Sequence, residues 1–316
     1  MNGAPVRLGL VGCGRLAELG YAPAARAATG VEIVAVSDPD RDRRGLLADK
    51  LQASGHARIS ELLASAPLDG IVVCTAPEHH EEVAAAVAQA GLVSLVEKPP
   101  APDAAGALRL AALAPAPWIG FNRRFDQGLE LARRVPPAGD LELRMVLHYR
   151  RRSWRPVSGG DDALLDLAPH FIDLALYLTA GLPSAVRAHA ARERAGIELA
   201  TSRARVSIEC ATDRPYHEVV ELLDTSGRRI ARAERGGRAR GVAARVWPGA
   251  HPLVRSLTAQ LEAFARALRG GDPGPLATAG EGAAVMCVLD AAARSDAIGG
   301  ETVAVEGVTL ADAEVS

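Results

Sequence analysis

Lysine is almost missing from this chain of 316 residues: of 36 basic side chains 34 are arginine, and only Lys50 and Lys98 are lysine. Where nearly every surface cation is arginine, a lysine marks a position for chemistry that arginine does not perform. Arginine stays protonated and presents a planar fork, whereas lysine is a compact ammonium that can release its proton when buried or crowded. Lys50 lies in an ordinary exposed helical pattern; Lys98 follows the apolar run 92–96, at the C-terminal end of a strand signal. Cysteine is also scarce. Cys13, Cys74, Cys210 and Cys287 are scattered with no C-x-x-C pair, which excludes a disulfide framework and a cysteine zinc site and fits reduced thiols in the cytoplasm. Excess charge is absent: a net charge of −2 leaves no global field to draw nucleic acid or an anionic membrane, and neither is expected as a partner. No uncharged apolar run is long enough to span a bilayer. A strand-like segment begins at Val6, so no signal peptide is expected.

What is present describes a globular chain, 48% apolar and 23% charged, with the length of two domains. The first 121 residues alternate apolar strand signals, at 6–11, 31–37, 70–74, 92–96 and 117–121, with helical patterns at 15–29, 40–53, 60–65, 78–90 and 103–113. Such alternation implies βαβ units and a parallel sheet buried on both faces. After Phe121 the pattern changes. Strand signals at 141–149, 184–193, 204–210 and 217–223 follow one another with short turns, Asp224-Thr225-Ser226-Gly227 among them. Helices are expected at 162–179, 253–269 and 279–297. The arginine-rich stretch 228–245 lacks the interleaved aromatics of a single-strand nucleic-acid binder and reads as a solvated hairpin and loop.

Gly12-Cys13-Gly14-Arg15-Leu16-Ala17 is G-x-G-x-x-A between the first strand and the first helix. The first glycine permits the tight turn, the second lets backbone approach a pyrophosphate, and Ala17 lets helix and strand pack closely. Arg15 and Leu16 open the helix, whose free N–H groups face the phosphates. Asp38 ends the second strand, where a carboxylate takes the adenosine ribose hydroxyls. Its charge favours NAD; Arg41, Arg43 and Arg44 leave NADP possible. The fold class is therefore α/β: an N-terminal Rossmann doubly wound parallel sheet over 1–121, then an α/β domain with an open, largely antiparallel sheet over 122–316. The site is expected at the carboxyl ends of the parallel strands.

A second cluster lies in 162–179. Asp166 and His170 stand at i and i+4, on one helical face, with Asp173 three residues on. Pro169 interrupts the regular ladder between them. A buried Asp/His pair needs partners, and by itself this pair reads as a satisfied core pair at least as readily as a catalytic dyad.

Glu97-Lys98-Pro99 after the fifth strand, with Asp166-x-x-x-His170-x-x-Asp173 on a later helix, resembles the Gfo/Idh/MocA family of oxidoreductases. Three further segments match its pattern in order. Thr75-Ala76-Pro77-Glu78-His79-His80 resembles T-P-x-x-x-H, Gly120-Phe121-Asn122-Arg123-Arg124-Phe125-Asp126 resembles G-F-x-x-R-F-D, and Trp154-Arg155 ahead of Gly159-Gly160 resembles W-R…G-G-G. The resemblance covers nearly the whole chain. Ala76 replaces a proline, Ala168 a glycine, and Asp161-Asp162 interrupts the glycine run where substrate contacts are expected.

The resemblance implies an NAD(P)-dependent dehydrogenase or ketoreductase acting on a sugar, cyclitol, amino sugar or nucleotide sugar. Lys98, Asp166 and His170 form the implied catalytic set. Thr75, Pro77, His80, Glu97 and Lys98 join Gly12, Gly14, Arg15, Leu16 and Asp38 around the cofactor, and Asn122, Arg124, Trp154, Arg155, Asp166 and His170 face the substrate. Histidine, with an ordinary pKa near ~6.5, suits a general base at neutral pH. The Lys98–Pro99 peptide is expected to be cis, and the chain to form a homo-oligomer through the exposed face of its second sheet. A redox-assisted lyase or glycosidase with recycled bound NAD would use the same residues, and a non-catalytic NAD-binding sensor would need none of the catalytic three.

Overall fold

Short Val/Ile/Leu runs that alternate with helices have one stable arrangement, a parallel sheet covered on both faces. A computed structural model describes residues 3–126, 141–150, 162–236 and 251–308. The chain forms two compact units, the first of 1–125 and 241–282, the second of 126–240 and 283–316.

In the first unit, β1 (Val6–Val11), β2 (Val31–Ser37), β3 (Ser54–His56), β4 (Gly70–Val73), β5 (Val93–Glu97) and β6 (Trp118–Gly120) run parallel in the order β6-β5-β4-β1-β2-β3. This is the doubly wound order. The helix expected over 15–29 is helical over 15–27, with a π turn at Ala17–Tyr21 leading into α1 (Ala22–Ala27). Next come α2 (Arg41–Leu51), α3 (Ile59–Ser65), α4 (His80–Gln89) and α5 (Ala104–Ala111). Asp40 caps α2 by accepting from the Asp42 and Arg43 amides, and Asp103 caps α5 by accepting from Gly106. Leu8, Leu10, Ile71, Val72, Leu95 and Val96 are fully buried, each such burial contributing about 1.5–3 kcal/mol.

A single cut at 121/122 is not how the contacts divide. The described residues 251–282 group with the first unit. Leu257, Leu261 and Phe264 share the core of Leu8, Leu10 and Tyr21. Gly70 makes the room, since a Cβ there would sit 2.8 Å from Leu268 and 3.1 Å from Phe264.

The second unit holds a sheet of β7 (Leu141–His148), β8 (Pro183–Ala191), β9 (Arg194–Thr201), β10 (Ala204–Ala211), β11 (His217–Asp224), β12 (Arg229–Gly236) and β14 (Val303–Ala304), in the order β12-β11-β7-β10-β9-β8-β14. Every pair is antiparallel except β7 with β10. The arginine-rich 229–236 is the edge strand β12, where charge discourages further pairing. The helix expected over 162–179 divides at Leu167 into α6 (Ala163–Asp166) and α7 (Ala168–Thr179). After α8 (Pro252–Leu268) and the short β13 (Ala277–Thr278) comes α9 (Ala279–Ala297). No helix among the described residues is long and apolar enough to cross a membrane.

Candidate active site

The first unit carries its functional residues where its parallel strands end. Gly12 has φ +95°, and a Cβ on it would lie 2.6 Å from the Cys74 carbonyl oxygen and 2.8 Å from the Thr75 nitrogen. Only glycine lets the turn after β1 press against the turn after β4. Gly14 differs: a Cβ there meets nothing within 4 Å. The turn is closed on the protein side and open at Gly14, as backbone approached by a pyrophosphate must be.

Asp38 is buried at the end of β2. Its Oδ2 accepts from the Cys13 amide at 2.7 Å and its Oδ1 from Asp40 at 2.8 Å. A carboxylate has about four acceptor positions, so two ribose hydroxyls still find a place. Two of the three arginines that would favour a 2′-phosphate have local acceptors. Arg44 Nη1 donates to the Asp38 carbonyl at 2.6 Å, and Arg43 pairs with Asp40 at 3.1 Å. Arg41 and Arg15 are exposed, and Leu16 is half-buried.

Thr75, Lys98 and Asn122 follow β4, β5 and β6, which are neighbours in the sheet. Thr75 Oγ1 and Asn122 Oδ1 are buried with no hydrogen-bond partner among the described residues. Buried polar groups without partners are rare and call for a ligand or water. The cradle at Gly14, the acid at Asp38 and these two atoms together fit a dinucleotide laid across the carboxyl ends of the strands. The Lys98–Pro99 peptide is cis, as expected, and Lys98 is half-buried.

Three residues sit differently from their expected roles. His80 is 1% exposed, with Nδ1 3.0 Å from the Pro99 carbonyl oxygen and Nε2 3.1 Å from that of Thr75. It ties the two turns together from within and faces backbone rather than an opening. Burial holds its pKa below the usual value. Glu97 is also inside, accepting from the Tyr21 hydroxyl at 2.6 Å and from the Lys98 amide at 3.1 Å. Burial raises its pKa. Arg124, expected at the substrate, is buried and pairs with Glu281 Oε1 at 2.9 Å, while Glu281 Oε2 accepts from the Thr278 amide at the start of α9. Pro77 begins a 3₁₀ turn, Pro77–His79, ahead of α4.

In the second unit, Asp166 ends α6 and His170 lies in the first turn of α7. Both are half-buried. The break at Leu167, with Pro169 at the start of α7, replaces the regular i, i+4 ladder. Asp166 faces β10, where burial, with the Asp166 and Glu209 charges adding, pushes the Cys210 thiol up to about 12. Asp162 interrupts a glycine run for a local reason: it caps α6, accepting from the Leu164 and Leu165 amides at 2.8 and 3.2 Å. Asp173 is fully buried. Trp154 and Arg155 lie outside the described residues.

The sequence model of an oxidoreductase family with an NAD-binding Rossmann fold, GFO_IDH_MocA, matches residues 6–116. Over 310 residues the chain is 28% identical to rhizopine catabolism protein MocA of Rhizobium meliloti, covering 90% of this chain and 93% of that protein. Residues 6–116 thus match the NAD-binding Rossmann module of the Gfo/Idh/MocA oxidoreductases. The chain is also 32% identical over 181 residues to inositol 2-dehydrogenase 2 of Saccharopolyspora erythraea, spanning 55% of this chain and 53% of that protein. The match thus covers about half the length of that dehydrogenase. The myo-inositol dehydrogenase of Lactobacillus casei, solved with NAD(H) and myo-inositol, shares the fold at a TM-score of 0.78 and 17% identity, over 96% of this chain and 98% of that one.

The sequence did not reveal Tyr21 or Gln260, which join Glu97 in one hydrogen-bonded line inside the first unit. The one available signal was scarcity, since Tyr21 is among only four tyrosines and sits a few residues after the glycine turn.

Proposed function

We propose that this chain is an NAD(H)-dependent oxidoreductase of the Gfo/Idh/MocA type. It moves a hydride between nicotinamide and a secondary alcohol or ketone of a polyhydroxylated ring, with a cyclitol as the first candidate and sugars, amino sugars and nucleotide sugars next. The observation that carries the cofactor half is the turn closed against Cys74 at Gly12 and open at Gly14. Names of the relatives, inositol 2-dehydrogenases among them, support the cyclitol.

Gly12 and Gly14 hold the pyrophosphate by backbone, Asp38 takes the adenosine ribose, and Thr75 and Asn122 supply the buried polar atoms near Lys98. When bound, the nicotinamide accepts or returns the hydride. His170 takes the hydroxyl proton as general base and passes it to solvent. Asp166 orients the ring and stabilises the imidazolium. Lys98 donates a hydrogen bond to the reacting oxygen as alkoxide charge develops. Asp38 and the local engagement of Arg43 and Arg44 favour NAD over NADP.

A screen of cyclitols, sugars and their keto forms with NAD and NADP, monitored by absorbance of the reduced nicotinamide, tests the reading. At least one polyol is expected to reduce NAD with kcat/KM about tenfold or more above that with NADP. No turnover across the panel would contradict it. We also infer a homo-oligomer, supported by the exposed face of the second sheet, where Arg187 and Glu198 stand opposite each other in the β8–β9 register, and a cytoplasmic location, supported by four free cysteines. Light scattering showing a monomer would overturn the oligomer.

A further inference from the structure

Behind Lys98 runs a line of buried polar side chains that hydride transfer does not itself require. Gln260 of α8, fully buried, donates from Nε2 to the Tyr21 hydroxyl at 3.1 Å. Tyr21, also fully buried, donates to Glu97 Oε1 at 2.6 Å. Glu97 Oε2 accepts the backbone amide of Lys98 at 3.1 Å. The line starts in a helix from late in the chain, passes through the last residue of the π turn after the glycine motif, and ends on the lysine.

The space around it is shaped for a carboxyl. Gly120 pairs with Glu97 across β6 and β5, and a Cβ at Gly120 would lie 3.1 Å from Glu97 Cδ. A π turn adds a residue to the helical repeat and re-aims the side chains at its end; here it ends at Tyr21.

A carboxylate this deep is costly unless it is hydrogen-bonded and near a cation. Burial pushes the Glu97 pKa up, and the Tyr21 hydrogen bond and the Lys98 charge pull it back. The other titratable groups against Glu97 are Tyr21 and Cys74, with Cys13 beside Cys74. Burial raises the pKa of Tyr21 and Cys74, and the Glu97 charge adds to both. The phenol and the thiols stay neutral at ordinary pH, so Lys98 supplies the positive charge that acts on Glu97.

We propose that Tyr21 is a positioning residue for Lys98: its hydroxyl fixes the Glu97 carboxylate, which holds the lysine's backbone amide and acts as counter-charge to its ammonium. This rests on the reading that Lys98 contacts the reacting oxygen.

The test compares wild type with Tyr21→Phe in two measurements. The first is an infrared pH titration of the carboxyl C=O band in the full chain without substrate, with Glu97→Gln identifying the band. Removing the donor destabilises the carboxylate. The acid band should therefore persist in Tyr21→Phe to a proton concentration about tenfold lower than in wild type. The second is steady-state kinetics. Tyr21→Phe is expected to lower kcat about tenfold, move the acid limb of the pH profile to higher pH, and leave KM for NAD within about twofold. Gln260→Leu removes the donor to Tyr21, should shift the band in the same direction by less, and serves if Tyr21→Phe does not fold. An unchanged Glu97 titration in the folded variants, or wild-type kcat in Tyr21→Phe at every pH, overturns the proposal. If wild type turns over no polyol, the reading of Lys98 fails, and the infrared comparison alone then decides whether Tyr21 controls Glu97.

Discussion

The backbone amide of Cys13 donates to Asp38 Oδ2 at 2.7 Å, so the acid at the end of β2 also anchors the glycine turn after β1. Asp38→Asn keeps one acceptor oxygen, enough for the Cys13 amide, but removes the charge and turns an NH2 donor toward the Asp40 amide. It is expected to cost about tenfold in kcat/KM with NAD, to raise the NADP-to-NAD ratio, and to lower stability by about 1–3 kcal/mol for the amide left unpaired. Steady-state kinetics with both cofactors and a thermal melt check this. The tenfold corresponds to about 1.4 kcal/mol. A wild-type preference for NADP would contradict the role given to Asp38.

The two glycines of the turn should separate fold from binding. Gly12→Ala places a Cβ against the Cys74 backbone at a positive φ and is expected to destabilise the protein by about 2 kcal/mol or more. Gly14→Ala places a Cβ where no protein atom lies within 4 Å and should melt close to wild type while weakening NAD binding. Denaturant titration and cofactor titration by calorimetry read the two effects. Equal NAD affinity in Gly14→Ala and wild type would show that the cradle is not used.

Arg124 should behave as a structural residue. Its side chain is 2% exposed and its partner Glu281 is 42% exposed, so the pair is screened on one side only. Glu281→Gln is expected to cost about 1–2 kcal/mol in urea unfolding, with KM for the polyol unchanged. A raised KM without loss of stability would return Arg124 to the substrate.

His80 gives a pH signature. Burial holds its folded-state pKa below the unfolded value, although the Thr75 and Pro99 carbonyls pull the other way. As pH falls below ~6.5, the unfolded chain takes up the proton first. Stability is therefore full above ~6.5 and declines below it until the folded His80 is itself protonated. Replacing His80 with Gln removes this titration, so the variant's melting temperature should fall less between about pH 7 and pH 5.5 than wild type's. Parallel slopes would place the acid sensitivity elsewhere.

Much of this architecture is written locally in the chain. The strands of the first sheet arise from apolar runs buried on both faces, and Gly12, Gly14 and Asp38 belong to a turn whose geometry admits few residue types. The hidden part depends on contacts distant in sequence. The helix 252–268 is plainly amphipathic, yet nothing within it says that Phe264 packs over Gly70 of β4. The strand β12, rich in Arg229, Arg232 and Arg235, is one arm of the hairpin expected there, paired antiparallel with β11, but its arginines hid how far the strand runs. Arg124 and His80 carry motif positions that suggest ligands, but the Glu281 carboxylate and the Pro99 carbonyl that occupy them come from elsewhere in the fold.

Lys98, at the end of β5, is the residue on which the proposed hydride-transfer chemistry on a polyhydroxylated ring turns. The most direct measurement is kcat for NAD reduction with an active polyol, in wild type and in Lys98→Arg. Arginine keeps the positive charge but not the compact, proton-exchanging donor. A fall of about 10²–10⁴-fold in kcat is expected, with NAD affinity and the melting temperature retained. A Lys98→Arg enzyme with wild-type kcat would contradict that role.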